Sequence, residues 1–195
     1  ASAKIDAGVR ECILATLRLD LSSLPTLERR DVESPMEDLL GAAGRLKIEE
    51  AIPILAAQKE RGGASRNALE ALVVMDTERS LAAVKELISA EEGNYQLCYI
   101  LEVLEREKPR SAVPWLRELL DSIKAGCDAD DQRVCDKATS TLAAIFPEGP
   151  GVEDSRNATK EQKDAKVAAW KAYLDGLPAA ARGAAAPKAT TPAGV

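Results

Sequence analysis

The sequence predicts an all-α fold, a right-handed α-solenoid of about four helix pairs preceded by one N-terminal helix. Three observations carry that expectation. Apolar residues recur at i, i+3 and i+4 through most of the 195 residues, the period of an amphipathic helix. Aromatic residues make up only 3% of a chain that is 46% hydrophobic, so a core must be built from Ala, Leu, Val and Ile, a mixture that suits closely packed helices. Helical segments also recur about every 30 residues, as stacked helix-turn-helix units do.

The first helix is expected from about Ile5 to Leu19, on the stripe Ile5, Val9, Cys12, Ile13, Thr16 and Leu17. A prolyl loop, SSLPTLERRDVESP, should follow and close an N-terminal segment at residue 35. Three helix pairs come next: MEDLLGAAGRLK with EEAIPILAAQKE, SRNALEALVVMD with ERSLAAVKELISA, and NYQLCYILEVLERE with RSAVPWLRELLDSIKAG. Short polar turns such as RGGAS and EEGN separate them. Pro53 and Pro114 stand in the apolar runs of two second helices. With Ser111 as N-cap, Pro114 falls in the first helical turn, where its missing N–H has no intrahelical acceptor to lose. Pro53 fits the same way, so both mark helix starts.

Alignment exposes the period. Ile52, Ile54 and Leu55 fall on Leu81, Ala83 and Val84 at an offset of 29, and Leu81, Val84, Leu87 and Ile88 fall on Val113, Leu116, Leu119 and Leu120 at an offset of 32. The first helices agree, since Leu69, Leu72 and Asp76 meet Leu101, Leu104 and Lys108 at 32. A divergent fourth pair joins DQRVCDKATSTLAAIF to KEQKDAKVAAWKAYLDGL through a longer connection. Its Val167, Trp170, Tyr173 and Leu174 match Val113, Leu116, Leu119 and Leu120 at an offset of 54, and divergence is expected of a terminal, capping repeat. Thr159 with Gln162 reads as a capping box for the last helix. The repeat domain is thus placed at residues 36–177, followed by an Ala/Pro-rich tail at 178–195. Such a tail cannot form a core alone, and a partner is the expected means of holding it.

The helix pairs resemble HEAT repeats, of the short variety of about 30 residues also found in phycobilisome-lyase-type proteins. The resemblance rests on SRNALEALVVMDTERSLAAVKELI and, less cleanly, on LLGAAGRLKIEEAIPIL and LEVLEREKPRSAVPWLRELL. In that family an Asp-containing turn joins the helices and the second helix often opens with a proline. Asp76 occupies the turn of the second repeat, while Lys47 and Lys108 replace it in the neighbours. The resemblance implies a fold and a binding scaffold rather than a reaction, since function on such a frame lives in surface residues.

Several classes of chemistry are excluded. The chain has no histidine, which removes imidazole as general base or metal ligand and rules out Ser-His-Asp and Cys-His catalysis. The His-Glu pairs of HEAT-like di-iron hydroxylases cannot be supplied either. A net charge of -6 argues against nucleic acid, whose binding needs concentrated basic surface. No apolar run reaches the 18 to 20 or so residues that span a bilayer. No CxxC pair occurs. The expected function is therefore non-catalytic, with no cofactor: an interaction scaffold or accessory subunit whose partners are other protein subunits. The alternative is a lyase-like or chaperone-like protein that handles a chromophore or other ligand, against which the scarcity of aromatic residues counts.

Cys12 and Cys98 read as small core residues. Cys127 and Cys135 flank the turn DADDQRV, and two readings are open: a disulfide in an exported protein, or two free thiols in the cytosol. The start ASAKID, without Met, fits either a removed signal peptide or an artificial boundary, and an exported, periplasmic location is favoured. Asp128, Asp130 and Asp131 lack the Gly and distal Glu of a calcium loop, so they are read as acidic residues before a helix N-terminus. Asn157-Ala158-Thr159 forms a glycosylation sequon, meaningful only in a secretory host. For partner binding, Lys85, Arg117 and Lys171 recur at equivalent positions of second helices and could receive an acidic segment, or form an ordinary solvated face. Tyr95, Tyr99 and Trp115 are divided between core filling and interface anchoring.

Overall fold

A computed structural model describes residues 6–18, 26–57, 63–89, 95–124, 132–151 and 158–178, with only the backbone described at 26–35, 63–65, 89 and 95. The described residues are helical, without strands: α1 Ala7–Leu17, α2 Thr26–Arg45, α3 Ile52–Ala56, α4 Gly63–Met75, α5 Glu78–Ser89, α6 Tyr95–Glu107, α7 Val113–Leu119, α8 Val134–Ile145 and α9 Lys160–Gly176. The chain divides into two compact units, one ending at Glu107 and the other beginning at Lys108.

In the first unit α2 packs on α4, α4 on α6, and α3 on α5, with α4 also touching α3 and α5. Burial repeats with the sequence period. Leu40, Leu69 and Leu101 are buried, as are Ala43, Leu72 and Leu104 at the next turn of the same helices. Among second helices, Ile52, Leu81 and Val113 are buried, and so are Leu55, Val84 and Leu116. α4 lies between two neighbours, and Ala68, Leu69, Ala71, Leu72, Val73 and Met75 are all buried. Small residues permit the close approach: a Cβ on Gly44 would lie 2.6 Å from the carbonyl oxygen of Ala71.

The turns that follow α2, α4 and α6 share one backbone feature. Lys47, Asp76 and Lys108 have positive φ, of 52°, 50° and 54°, and are the only described non-glycine residues that do. At Lys47 the turn is a Schellman motif, in which Ile48 N–H donates to Ala43 C=O at 3.0 Å and Lys47 N–H to Gly44 C=O at 3.0 Å. The three turns share this φ but not their hydrogen bonds, since Thr77 N–H donates to Ser80 Oγ after Asp76 and Pro109, after Lys108, has no N–H. A β-carbon in this region is strained, so Lys47→Gly is expected to raise stability by about 0.5–1 kcal/mol, the relief of strain outweighing the added freedom of the unfolded chain. Equilibrium urea unfolding measures it, and a loss of stability would contradict the argument.

Second helices start in two ways. α3 and α7 follow 3-10 turns at Glu49–Ala51 and Arg110–Ala112 and carry Pro53 and Pro114 in their first turns, as expected. The N-cap of α7 is Ala112, however, not Ser111, which lies within the 3-10 turn. α5 has no proline. Thr77 and Ser80 exchange bonds there, Thr77 N–H donating to Ser80 Oγ at 3.2 Å and Ser80 N–H to Thr77 Oγ1 at 3.1 Å, which satisfies otherwise orphaned donors.

Two N-terminal expectations need correction. The segment read as a prolyl loop is largely helix, because α2 runs from Thr26 through Pro35 to Arg45. Leu27, Glu28, Arg29 and Arg30 are good helix formers, and a proline removes only one i→i−4 bond from a helix anchored further along. In α1 only Ile13 and Leu17 are buried, whereas Val9 is 50% exposed and Cys12 is exposed. A neighbour covers just part of the apolar stripe.

In the second unit α7 packs on α8 and α8 on α9. Val134 N–H donates to Lys124 C=O and Cys135 N–H to Ser122 C=O, so the chain leaving α7 caps α8. The capping box of α9 is formed in both directions, Thr159 N–H donating to Gln162 Oε1 at 2.7 Å and Gln162 N–H to Thr159 Oγ1 at 3.3 Å. Val167, Trp170 and Leu174 are buried, and Trp170 and Phe146 each meet Tyr173 edge-on at 5.5 and 5.9 Å. The Arg110 guanidinium lies over the Phe146 ring at 5.1 Å, a cation–π contact.

Candidate interaction surface

The residues nominated for partner binding lie in both units. Lys85 is half-buried on α5 and already has an interaction partner. Trp115 on α7 is only 7% exposed, so it fills the core and presents no anchor. Arg117 and Lys171 are brought together. The Arg117 fork donates to both carboxylate oxygens of Asp175 at 3.2 Å and to Asp121 at 3.4 Å, while Lys171 Nζ donates to Asp121 at 2.6 Å. Two cations thus face two carboxylates, and the pair offers no surplus positive charge to an acidic segment. Asp121, four residues after Arg117, was within reach of sequence reasoning; Asp175, 58 residues away, carried no local signal.

A second arginine makes the same kind of contact. Arg133 grips Asp136 with two bonds of 2.9 and 2.8 Å and reaches Asp164 on α9 at 2.6 Å. Asp136 is 5% exposed, and the two carboxylates hold the Arg133 guanidinium more firmly protonated than usual. Lys171, by its hydrogen bond, and Arg133, by its own, hold Asp121 and Asp164 below the ordinary carboxylate range. A carboxylate depressed in the folded state stabilises it at any pH above the unfolded value of about 3.9 and loses that contribution as the pH falls through the folded value. Acidification from about pH 5 toward pH 2 is therefore expected to lower the urea midpoint. An Asp121→Asn/Asp164→Asn variant should show a shallower fall, and equal slopes would contradict the linkage.

In the first unit Tyr99 O–H donates to Glu70 at 3.0 Å, Arg106 pairs with Glu70, and Arg66 lies 5.4 Å from the Tyr99 ring centre. Burial, then the bond to Glu70, raises the Tyr99 phenol above its ordinary value. Tyr99 thus joins α4 to α6. The side chain of Tyr95, like Cys127, Asp128, Asp130, Asp131, Asn157 and the tail beyond Pro178, lies outside the described residues.

The cysteines depart from expectation. Cys135 is a free, buried thiol, so it is not bridged to Cys127: it sits in the first turn of α8 among core residues, and burial pushes its thiol up. Cys98, read as a plain core residue, is buried but disulfide-bonded. Native alkylation is expected to modify Cys12 and spare Cys135 and Cys98. Denaturation should release Cys135, and only reduction should release Cys98, with a mass gain of two hydrogens. Labelling of Cys98 without reductant would contradict this.

A shallow cleft of about 290 Å³ lies along α9, lined by Pro150, Ala158, Gln162, Lys163, Lys166 and Ala169 among others. It is smaller than most ligand pockets. Among the described residues no group of three Cys, Asp or Glu could hold a metal ion, and no helix is long and apolar enough to cross a membrane. No family model, no curated protein and no solved structure matches the chain.

Proposed function

We propose that this chain is a non-catalytic, HEAT-like α-solenoid that serves as a protein-interaction scaffold or accessory subunit of a larger complex. The observation that carries the reading is the recurrence of a positive φ at Lys47, Asp76 and Lys108, at the 29- and 32-residue offsets at which the helix sequences align. Equivalent burial of Leu40, Leu69 and Leu101, and of Leu55, Val84 and Leu116, supports it. Stacked pairs of this kind bury a continuous core and leave a long surface for partners.

The test is to isolate the native protein under mild conditions and crosslink it. A complex of fixed stoichiometry, with crosslinks on α3, α5, α7 or α9, is expected. A colourless monomer without crosslinked partners would overturn the reading, and a co-purifying pigment would replace it with ligand handling.

A further inference from the structure

The helix α9 is held more lightly than α8, with three of its 17 residues buried against eight of the 12 in α8. Its apolar grip on the second unit consists of Val167, Trp170 and Leu174, with Tyr173 half-buried. Ala165, Ala168, Ala169 and Ala172 on its other side are exposed. Trp170 is fully buried, yet its indole N–H has no acceptor among the described residues, and an unsatisfied buried donor works against docking. Two arginines supply ionic contacts. Arg133 holds Asp164 and Arg117 holds Asp175; the two aspartates are 11 residues, or three turns, apart and so lie on one side of α9. Each arginine is also oriented by a carboxylate near it in the chain, Asp136 or Asp121. Lys171 adds its bond to Asp121.

We propose that α9 is a releasable closing helix, held over α8 by the arginine clips Arg133–Asp164 and Arg117–Asp175, and that it undocks without unfolding the rest of its unit. Few buried apolar contacts and exposed ionic ones are the features of a low-stability segment that opens locally. Release uncovers Trp170 and the side of α8 beneath it, an apolar surface absent from the closed unit. The inference does not depend on the scaffold reading.

Hydrogen exchange with mass spectrometry tests it on the full chain at fixed pH and salt. Amides of α9 at 167–174 are expected to exchange at least about tenfold faster than those of α8 at 138–145. Asp164→Asn/Asp175→Asn cuts only the α9 side of each clip and leaves Asp136 paired with Arg133, so it should speed α9 by a further factor of about ten while α6 is unchanged. A common rate for α8 and α9 in the unmodified chain would overturn local release. An unaltered α9 rate in the double variant would overturn the clips as its holding contacts.

Discussion

Gly44→Val is expected to destabilise the protein by about 3 kcal/mol, while Gly41→Ala, one turn earlier in the same helix, is expected to stabilise it by up to about 1 kcal/mol. Both glycines are helical, so intrinsic propensity favours replacing either. The surroundings decide the sign. A Cβ at Gly44 would lie 2.6 Å from the Ala71 oxygen, 2.9 Å from its Cα and 3.1 Å from its carbonyl carbon, all backbone atoms of α4 that cannot turn aside. α2 and α4 would have to separate, and the buried contacts of Leu40, Ala43, Leu69 and Leu72 would loosen with them. At Gly41 the nearest atom is the Arg45 guanidinium at 3.2 Å, the far end of a flexible chain that can swing into water. Chemical denaturation of the two variants against the parent measures the difference. Equal effects at the two positions would mean that the helices do not approach as closely as described.

The apolar period was legible because it is local and repeated: once Leu69 and Leu72 align with Leu101 and Leu104, a shared burial pattern follows from helix geometry. The turns were half legible. Lys47 and Lys108 looked like departures from the Asp76 pattern, yet all three have a positive φ of 50–54°, so the backbone feature recurs across different side chains and different hydrogen bonds. Pro35 misled, since a breaker is weighed against a whole helix and only its neighbours are visible in a short window. Cys12 misled for another reason: an apolar stripe says that a face can be buried, not that a neighbour covers all of it. The ionic contacts were the least legible. Asp121 follows Arg117 by four positions and Asp136 follows Arg133 by three, but Asp164 and Asp175 arrive only when α9 packs. At Arg117 and Lys171, expected as part of a basic row, the carboxylates they meet, Asp121 and Asp175, come from the chain itself.

Arg133→Ala is expected to cost about 3 kcal/mol, more than an ordinary surface ion pair, whose worth is at most about 1 kcal/mol. The difference lies in what remains behind. Asp136 is 5% exposed and both of its carboxylate oxygens accept from the Arg133 fork, so truncation strands a buried charge. The first turn of α8 favours that charge only partly, and the Cys135 Sγ, 3.9 Å from the carboxylate, is a weak donor. Asp164 matters less, because it is half exposed and water can replace the lost bond. Asp136→Asn in the Arg133→Ala background should therefore recover much of the loss by removing the stranded charge, whereas Asp164→Asn in that background should recover little. The four variants of each pair form a double-mutant cycle read by urea unfolding. If Arg133→Ala costs no more than about 1 kcal/mol, the pair behaves as a surface ion pair and Asp136 is better solvated than its burial indicates.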